Sequence, residues 1–269
     1  MADRRAWKPS PLIRGSMGLH IVAAVGVAAV PAAWPWALGA AAGNHALLGT
    51  LGLWPRSGLL GPNLTRLPET NARLGQVGLC FDDGPDPDVT PPVLDLLDRA
   101  GAKASFFCIA ERAVRHPGIV REILRRGHSV ENHTWHHPHW FAALGPGAIR
   151  REVGQAQRIL EDLGDRPPRF FKPPAGLRNP LLEPVLAGLG LRLATWTRRG
   201  YDAVRRDPVG VTRRLTRNLA AGDILMLHDG SAACTPEGRP VLLEVLPDLL
   251  DAFSLHGLTA VSLDVVSDD

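Results

Sequence analysis

From residue 77 onward the chain predicts an α/β fold of parallel strands with helices on their faces. Two observations carry that prediction. Seven short β-prone runs recur, and helical patterns separate most of them. The polar groups at the ends of those runs are carboxylates and imidazoles, as expected where strand ends form a site. A barrel and a doubly wound open sheet both satisfy the alternation. A third observation adds an apolar membrane segment ahead of the domain: residues 15–55 hold no Asp, Glu, Lys or Arg.

The elements follow in order. Arg4, Arg5, Lys8 and Arg14 precede the uncharged stretch. A bilayer span needs about 20 apolar residues, and residues 18–40 supply them, with Trp34 and Trp36 near the outer end as interfacial aromatics. The competing readings are a cleaved signal peptide, which residues 23–33 resemble, and a buried Ala-rich helix. Pro31 and Pro35 weigh against the buried helix. The basic flank keeps the N-terminus cytoplasmic. A single span, the favoured reading, then puts the domain on the extracytoplasmic side. A two-span hairpin reaching Trp54 would return it to the cytoplasm, and cleavage would secrete it. The organisation expected is an anchor over 1–55, a linker marked by Gly, Pro and Asn over 56–75, and a catalytic domain over 76–269.

Within the domain, VGLCF (77–81) precedes the helical TPPVLDLLDRAG, and ASFFCI (104–109) precedes HPGIVREILRRG. HSVE leads to a long helical pattern over 148–163, whose apolar face is Ile149, Val153, Ala156, Ile159, Leu160 and Leu163. RFF (169–171), LRLATW (191–196), DILML (223–227) and LTAVSL (258–263) complete the β-like set.

Composition excludes several classes. The 269 residues are 45% hydrophobic and 21% charged, which rules against wholesale disorder. The net charge of +3 is mild and the basic clusters are short, so no nucleic-acid partner is expected. Three cysteines without CxxC spacing do not make a disulfide framework. No obligate protein partner is indicated.

Three strand ends carry chemistry. VGLCF runs into Asp82 and Asp83, followed by Gly84 and Pro85. Adjacent residues on an extended strand point apart, so both carboxylates reach one site only if the chain turns there. The stretch NHTWHHPHW places His133 and His137 four apart, close enough to share a helix face and a cation. With a carboxylate from another strand end, that pair makes a two-His, one-Asp set with open positions. Zn²⁺ suits it best, and Co²⁺, Mn²⁺ or Fe²⁺ suit the same ligands. DILML ends at His228 and Asp229, and a histidine there can exchange protons near neutral pH. His136 and His139 are bystanders in this reading.

On these residues the chain resembles the polysaccharide deacetylase family (carbohydrate esterase family 4, with the nodulation-type chitooligosaccharide deacetylase domain). The similarity covers roughly 77–265 through FDDGP (81–85), HTWHH (133–137), FFKPPAG (170–176), LATWTRRGYD (193–202) and LMLHD (225–229). The resemblance implies a distorted (β/α) barrel of about seven parallel strands. It implies metal ligation by Asp83, His133 and His137, with Asp82 as general base and His228 as general acid. It further assigns an oxyanion contact to the Ala175 N–H, an acyl pocket to Leu227, and orientation of the base to Lys172 with Asp202.

The departures are specific. Lys172 stands where the family usually has Arg, and its ammonium lacks the bidentate fork. Ala175 and Ala203 stand where aromatics usually line a glycan groove. Trp135, Trp140, Phe141, Trp196 and Tyr201 are the aromatics available to replace them. The activity expected is metal-dependent deacetylation of an N-acetylated amino sugar in an envelope glycan or glycolipid. Hydrolysis of another linear or cyclic amide and non-catalytic carbohydrate binding are the alternatives.

Overall fold

A computed structural model describes residues 6–267. The Arg4–Arg5 part of the basic flank lies outside the described residues. The chain starts with two helices, α1 (Pro11–Ala29) and α2 (Trp34–Gly52), joined by Val30 and a short 3-10 turn. The single span expected over 18–40 is therefore broken. Pro31 supplies no N–H and disfavours helical geometry at the residue before it, and Val30 is extended at φ −136° and ψ 88°. The two helices pack side by side: Asn44 Nδ2 donates to Ser16 Oγ at 2.8 Å, and the Nε2 atoms of His20 and His45 are 3.3 Å apart. Each helix has 19 residues, about 28 Å, close to the thickness of a bilayer core. Of the two, α1 is long and apolar enough to cross a membrane, and little of it is buried.

The base of this hairpin is fastened to the domain. Ser10 Oγ donates to Leu59 O, and Ile13, Leu48 and Leu60 form a small cluster. Gly52 O accepts from Arg178 N at 3.1 Å, and a Cβ at Gly52 would lie 2.1 Å from Arg178 O. Residues 56–75, expected to be a linker, also lie on the domain. Leu64 bridges to Ala194, Arg66 bridges to Asp223, and Leu60 and Leu67 are buried. A short helix, α3 (Glu69–Arg73), ends the segment.

The domain then alternates as the sequence predicts. The order is β1 (Gln76–Asp82), α4 (Thr90–Arg99), β2 (Ser105–Cys108), α5 (Ala110–Arg115), α6 (Pro117–Arg125), β3 (Ser129–Asn132), α7 (Pro146–Gly164), β4 (Phe170–Phe171) and α8 (Leu182–Leu189). It continues with β5 (Arg192–Leu193), β6 (Arg198–Arg199), α9 (Pro208–Thr216), β7 (Ile224–His228), α10 (Val241–Leu255) and β8 (Thr259–Val261). The seven β-like runs are all present, and LRLATW with the residues after it divides into β5 and β6. The sheet order is β5-β4-β3-β2-β1-β7-β6, with β8 on the first half of β1, and all strand pairs are parallel. Its two ends, β5 and β6, are consecutive in the chain but not paired. The fold is a distorted, incompletely closed barrel, and the bridges of Leu64 and Arg66 cross the gap.

Strand alternation sorts the side chains into two layers. Val77, Leu79 and Phe81 of β1, Phe106 of β2 and Leu225 and Leu227 of β7 pack outward beneath the helices. Cys80, Phe107, Phe170 and Ile224 pack inward. That parity carries Asp82 and His228 to the inner side. Their Cα atoms are register partners, as are those of Asp82 and Phe107, and of Cys108 and Asn132. The C-terminal ends of β1, β2, β3 and β7 thus meet at one rim.

Candidate active site

The turn required for two adjacent carboxylates is present. Asp83 has φ +72°, a left-handed conformation unusual for a side chain other than glycine. It re-aims the chain so that Asp82 and Asp83 both line one cavity of about 600 Å³. Arg112 of α5 holds this turn, because its guanidinium donates to the carbonyls of Asp83 and Gly230. Gly230 is tightly placed there: a Cβ would lie 2.1 Å from Asp83 O.

His133 and His137 also converge, by a route different from the one expected. They do not share a helix. The strand β3 stops at Asn132, and Thr134 and His137 take φ +69° and +57° in the loop that follows. Side chains stitch the loop: Asn132 Oδ1 accepts from Thr134 N at 3.0 Å, and Thr134 Oγ1 accepts from His137 N at 2.9 Å. Nε2 of each imidazole then lies 3.2 Å from Asp83 Oδ1.

The chemistry of this trio fits a cation. His133 Nδ1 is 2.6 Å from Lys172 O, so that nitrogen carries the hydrogen and Nε2 presents its lone pair to Asp83. Burial, aided by His133, pushes His137 down to about 4, leaving it neutral near pH 7. Burial alone would raise the Asp83 carboxyl, and protonated imidazoles beside it would outweigh burial and hold the group well below the usual carboxylate range; with the rings neutral, that counter-charge is left for a cation to supply. Asp83 Oδ1 is buried and accepts no hydrogen bond. Among the described residues, Asp83, His133 and His137 form a cluster able to hold a metal ion.

Two further pairs flank the trio. Lys172 Nζ donates to Asp82 Oδ1 at 2.7 Å, with both side chains shielded from solvent. The Lys172 ammonium also sits 4.0 Å from the Phe107 ring centroid. Asp202 binds His228 twice, accepting from its backbone N–H at 2.7 Å and facing Nδ1 at 2.9 Å. Burial opposes protonation of His228, but Asp202 overrides it and raises the imidazole's pKa. The expected Lys172 with Asp202 pairing is therefore replaced by two separate pairs. Beside them, burial pushes Asp229 up to about 7, and Thr90 Oγ1 donates to it at 2.6 Å.

The cavity walls differ from expectation at one position. Leu227 is fully buried in the outer hydrophobic layer, whereas Met226 lines the cavity. The period of two along β7 puts Met226 and His228 on one face and Leu227 on the other. Ala175 and Ala203 do line the cavity, together with Trp196 and Arg199. Phe141 is core and Trp135 packs against core, while Trp140 is exposed. Arg112, Thr90 and Met226 were not singled out from the sequence. The signal available for Arg112 was its position just beyond a strand end, since its charge is one of many.

Comparison with known proteins places these features in context. Residues 70–194 match the family model described as polysaccharide deacetylase. A peptidoglycan-N-acetylglucosamine deacetylase of Bacillus cereus is 31% identical over 64% of this chain and 81% of its own length. The peptidoglycan-N-acetylglucosamine deacetylase PgdA of Listeria monocytogenes is also 31% identical, over 62% of this chain but 36% of its own length. Among solved structures, a peptidoglycan N-acetylglucosamine deacetylase in complex with 4-naphthalen-1-yl-N-oxidanyl-benzamide superposes with a TM-score of 0.68 at 26% identity. It covers 77% of this chain and 94% of that one.

Proposed function

The chain belongs to the polysaccharide deacetylase family, and on that premise we propose that it removes the N-acetyl group from an amino sugar of an envelope glycan or glycolipid with a divalent metal, Zn²⁺ first among the candidates. The observation that carries this reading is the convergence of Asp82, Asp83, His133, His137 and His228 on one cavity. Asp83, His133 and His137 would hold the metal, which when bound polarises an amide carbonyl and makes water a better acid. Asp82 accepts the proton of the attacking water, and Lys172 fixes the carboxylate's orientation through its 2.7 Å contact. His228, whose pKa Asp202 raises, gives a proton to the departing amine, which is a poor leaving group without one. The Ala175 N–H is assigned to the developing oxyanion and Met226 to the acyl methyl, since both residues line the cavity.

The hairpin of α1 and α2 reads as a membrane anchor. Trp34 and Trp36 are exposed at its tip and Trp54 at its base, as for aromatics at two interfaces. We read α2 as recrossing beside α1, although among the described residues α1 is the one apolar enough to cross by itself; such a hairpin returns the chain to the side it came from and favours the cytoplasmic face for the domain over the extracytoplasmic one that a single span implies.

The test uses the full chain in detergent. Bound metal would be quantified, and acetate release measured from an N-acetylglucosamine oligomer, peptidoglycan and an envelope glycolipid extract. The reading expects metal near one equivalent, its loss in the His133→Ala plus His137→Ala variant, and a fall in turnover of roughly 10²–10⁴ in Asp82→Asn. Absence of metal, or full turnover in Asp82→Asn, would overturn it.

A further inference from the structure

A second cavity, of about 460 Å³, opens beside the first. Trp196 and Arg199 line both, so they form a shared wall. Its lining holds Arg56, Arg198, Arg199, Arg214 and Arg217 and no carboxylate. Arg198 is accounted for within the fold, because it donates to Asp223 and to the carbonyls of Arg217 and Asn218. The other four have no acidic partner among the described residues.

Two of the four, Arg199 and Arg214, are also held together by aromatic rings. Arg199 lies 5.2 Å from the Trp196 ring centroid and 5.0 Å from that of Tyr201, and Arg214 is 5.2 Å from the same Tyr201 ring. One tyrosine thus gathers two guanidinium groups, whose mutual repulsion no local anion relieves. Arg199 Nε is buried and has no hydrogen-bond partner. Planar guanidinium forks converging on a cavity suit phosphate oxygens.

The cavity's place in the fold adds a second, independent constraint. Trp54 and Arg56 of its wall follow directly on α2, at the base of the apolar hairpin. Pro55, between them, is 2.9 Å from where a Cβ of Gly176 would sit, and Gly176 lines the catalytic cavity. The cationic cavity therefore lies between the hairpin and the acyl-sugar site.

We propose that this cavity binds the phosphate or diphosphate of the substrate, so that the sugar entering the catalytic cavity is an N-acylated amino sugar carrying a phosphate at one end. This rests on the deacetylase reading above. The phosphate belongs either to a lipid-linked sugar at the membrane surface or to a soluble nucleotide sugar, and both present the same chemistry to the arginines. The small Ala175 and Ala203 fit this assignment. A substrate held by its phosphate does not depend on aromatic platforms under successive sugar rings.

The experiment has two parts, both on the full chain in detergent. The first measures binding of inorganic pyrophosphate by calorimetry to the wild type, to Arg214→Ala plus Arg217→Ala, and to Arg214→Lys plus Arg217→Lys. Affinity should fall at least tenfold in the alanine variant and less in the lysine variant. The second compares kcat/KM for a polyprenyl-diphosphate-linked N-acetylglucosamine, UDP-N-acetylglucosamine and a neutral N-acetylglucosamine oligomer. The ratio of phosphate-bearing to neutral substrate should exceed one in the wild type and drop at least tenfold in the alanine variant. Preference for the polyprenyl or the nucleotide compound identifies the source of the phosphate. Unaltered pyrophosphate binding and an unaltered ratio in the alanine variant overturn the proposal. Arginine-dependent pyrophosphate binding without deacetylation of any compound would defeat the deacetylase reading and leave the anion site standing.

Discussion

The Lys172 ammonium is 2.7 Å from the Asp82 carboxylate, and neither side chain reaches solvent appreciably. A buried pair of this kind is costly to break from one side only. Lys172→Met should lose about 3–5 kcal/mol of stability, because it leaves a buried carboxylate without its counter-charge. The double variant Lys172→Met plus Asp82→Asn should recover part of that loss. Urea unfolding of the two variants and the wild type checks the order, and equal stability of single variant and wild type would remove the pair's role.

Asp202 raises the pKa of His228 against the effect of burial. A raised pKa keeps the acid form present to higher pH. Asp202→Asn should therefore move the alkaline limb of the kcat profile to lower pH and reduce kcat at pH 8 by roughly tenfold or more. A profile measured between pH 6 and 10 reads this directly, and an unmoved limb would assign the acid to another group.

Arg112 ties Asp83 O to Gly230 O from outside the cation cluster. Arg112→Ala should weaken metal affinity by about 10–100-fold, the usual effect of losing a supporting contact. Gly230→Ala should act in the same direction, since its Cβ would meet the Asp83 carbonyl. Competition with a chelator gives the affinities. Wild-type affinity in both variants would show that the turn holds without this support.

His128 is buried, with Nδ1 accepting from Ala104 N at 3.2 Å and Nε2 unpartnered. Burial, reinforced by Lys103 and opposed by Asp98, pushes it down from 6.5 to about 4. The unfolded chain then binds the proton more readily than the folded one. The stability this group contributes is complete above pH 6.5 and is lost as the pH falls toward 4, by roughly 3 kcal/mol. Unfolding midpoints of the wild type and His128→Asn, followed from pH 7.5 to 4.5, should diverge in slope across that window. Parallel slopes would locate the acid sensitivity elsewhere.

The hairpin makes a topological prediction. A reporter fused after residue 70 should register on the same side of the membrane as one fused at the N-terminus. Reporters on opposite sides would restore the single span. Gly52→Leu should leave membrane association in place and loosen the hairpin from the domain, because the side chain would collide with Arg178 O. Limited proteolysis between residues 53 and 70 would show the loosening.

The sequence by itself determined the alternation of strands and helices, the family, and which strand ends carry titratable groups. Those features are local: a run of apolar residues ending in Asp82 or His228 is visible without coordinates. It also marked the uncharged N-terminal stretch, though not its bend, because a proline can either kink a helix or end it. The pairing of Lys172 with Asp82 rather than Asp202 required the tertiary structure. So did the loop that brings His137 beside His133 with left-handed residues instead of a helical turn. Met226 rather than Leu227 lines the cavity because strand parity fixes which side chain faces the rim, and one residue of phase separates core from cavity. The arginine cavity is the clearest case. Arg56, Arg199, Arg214 and Arg217 are scattered through the chain and read as ordinary surface charge. Only the fold brings the segment after α2, strand β6 and the end of α9 to a single wall.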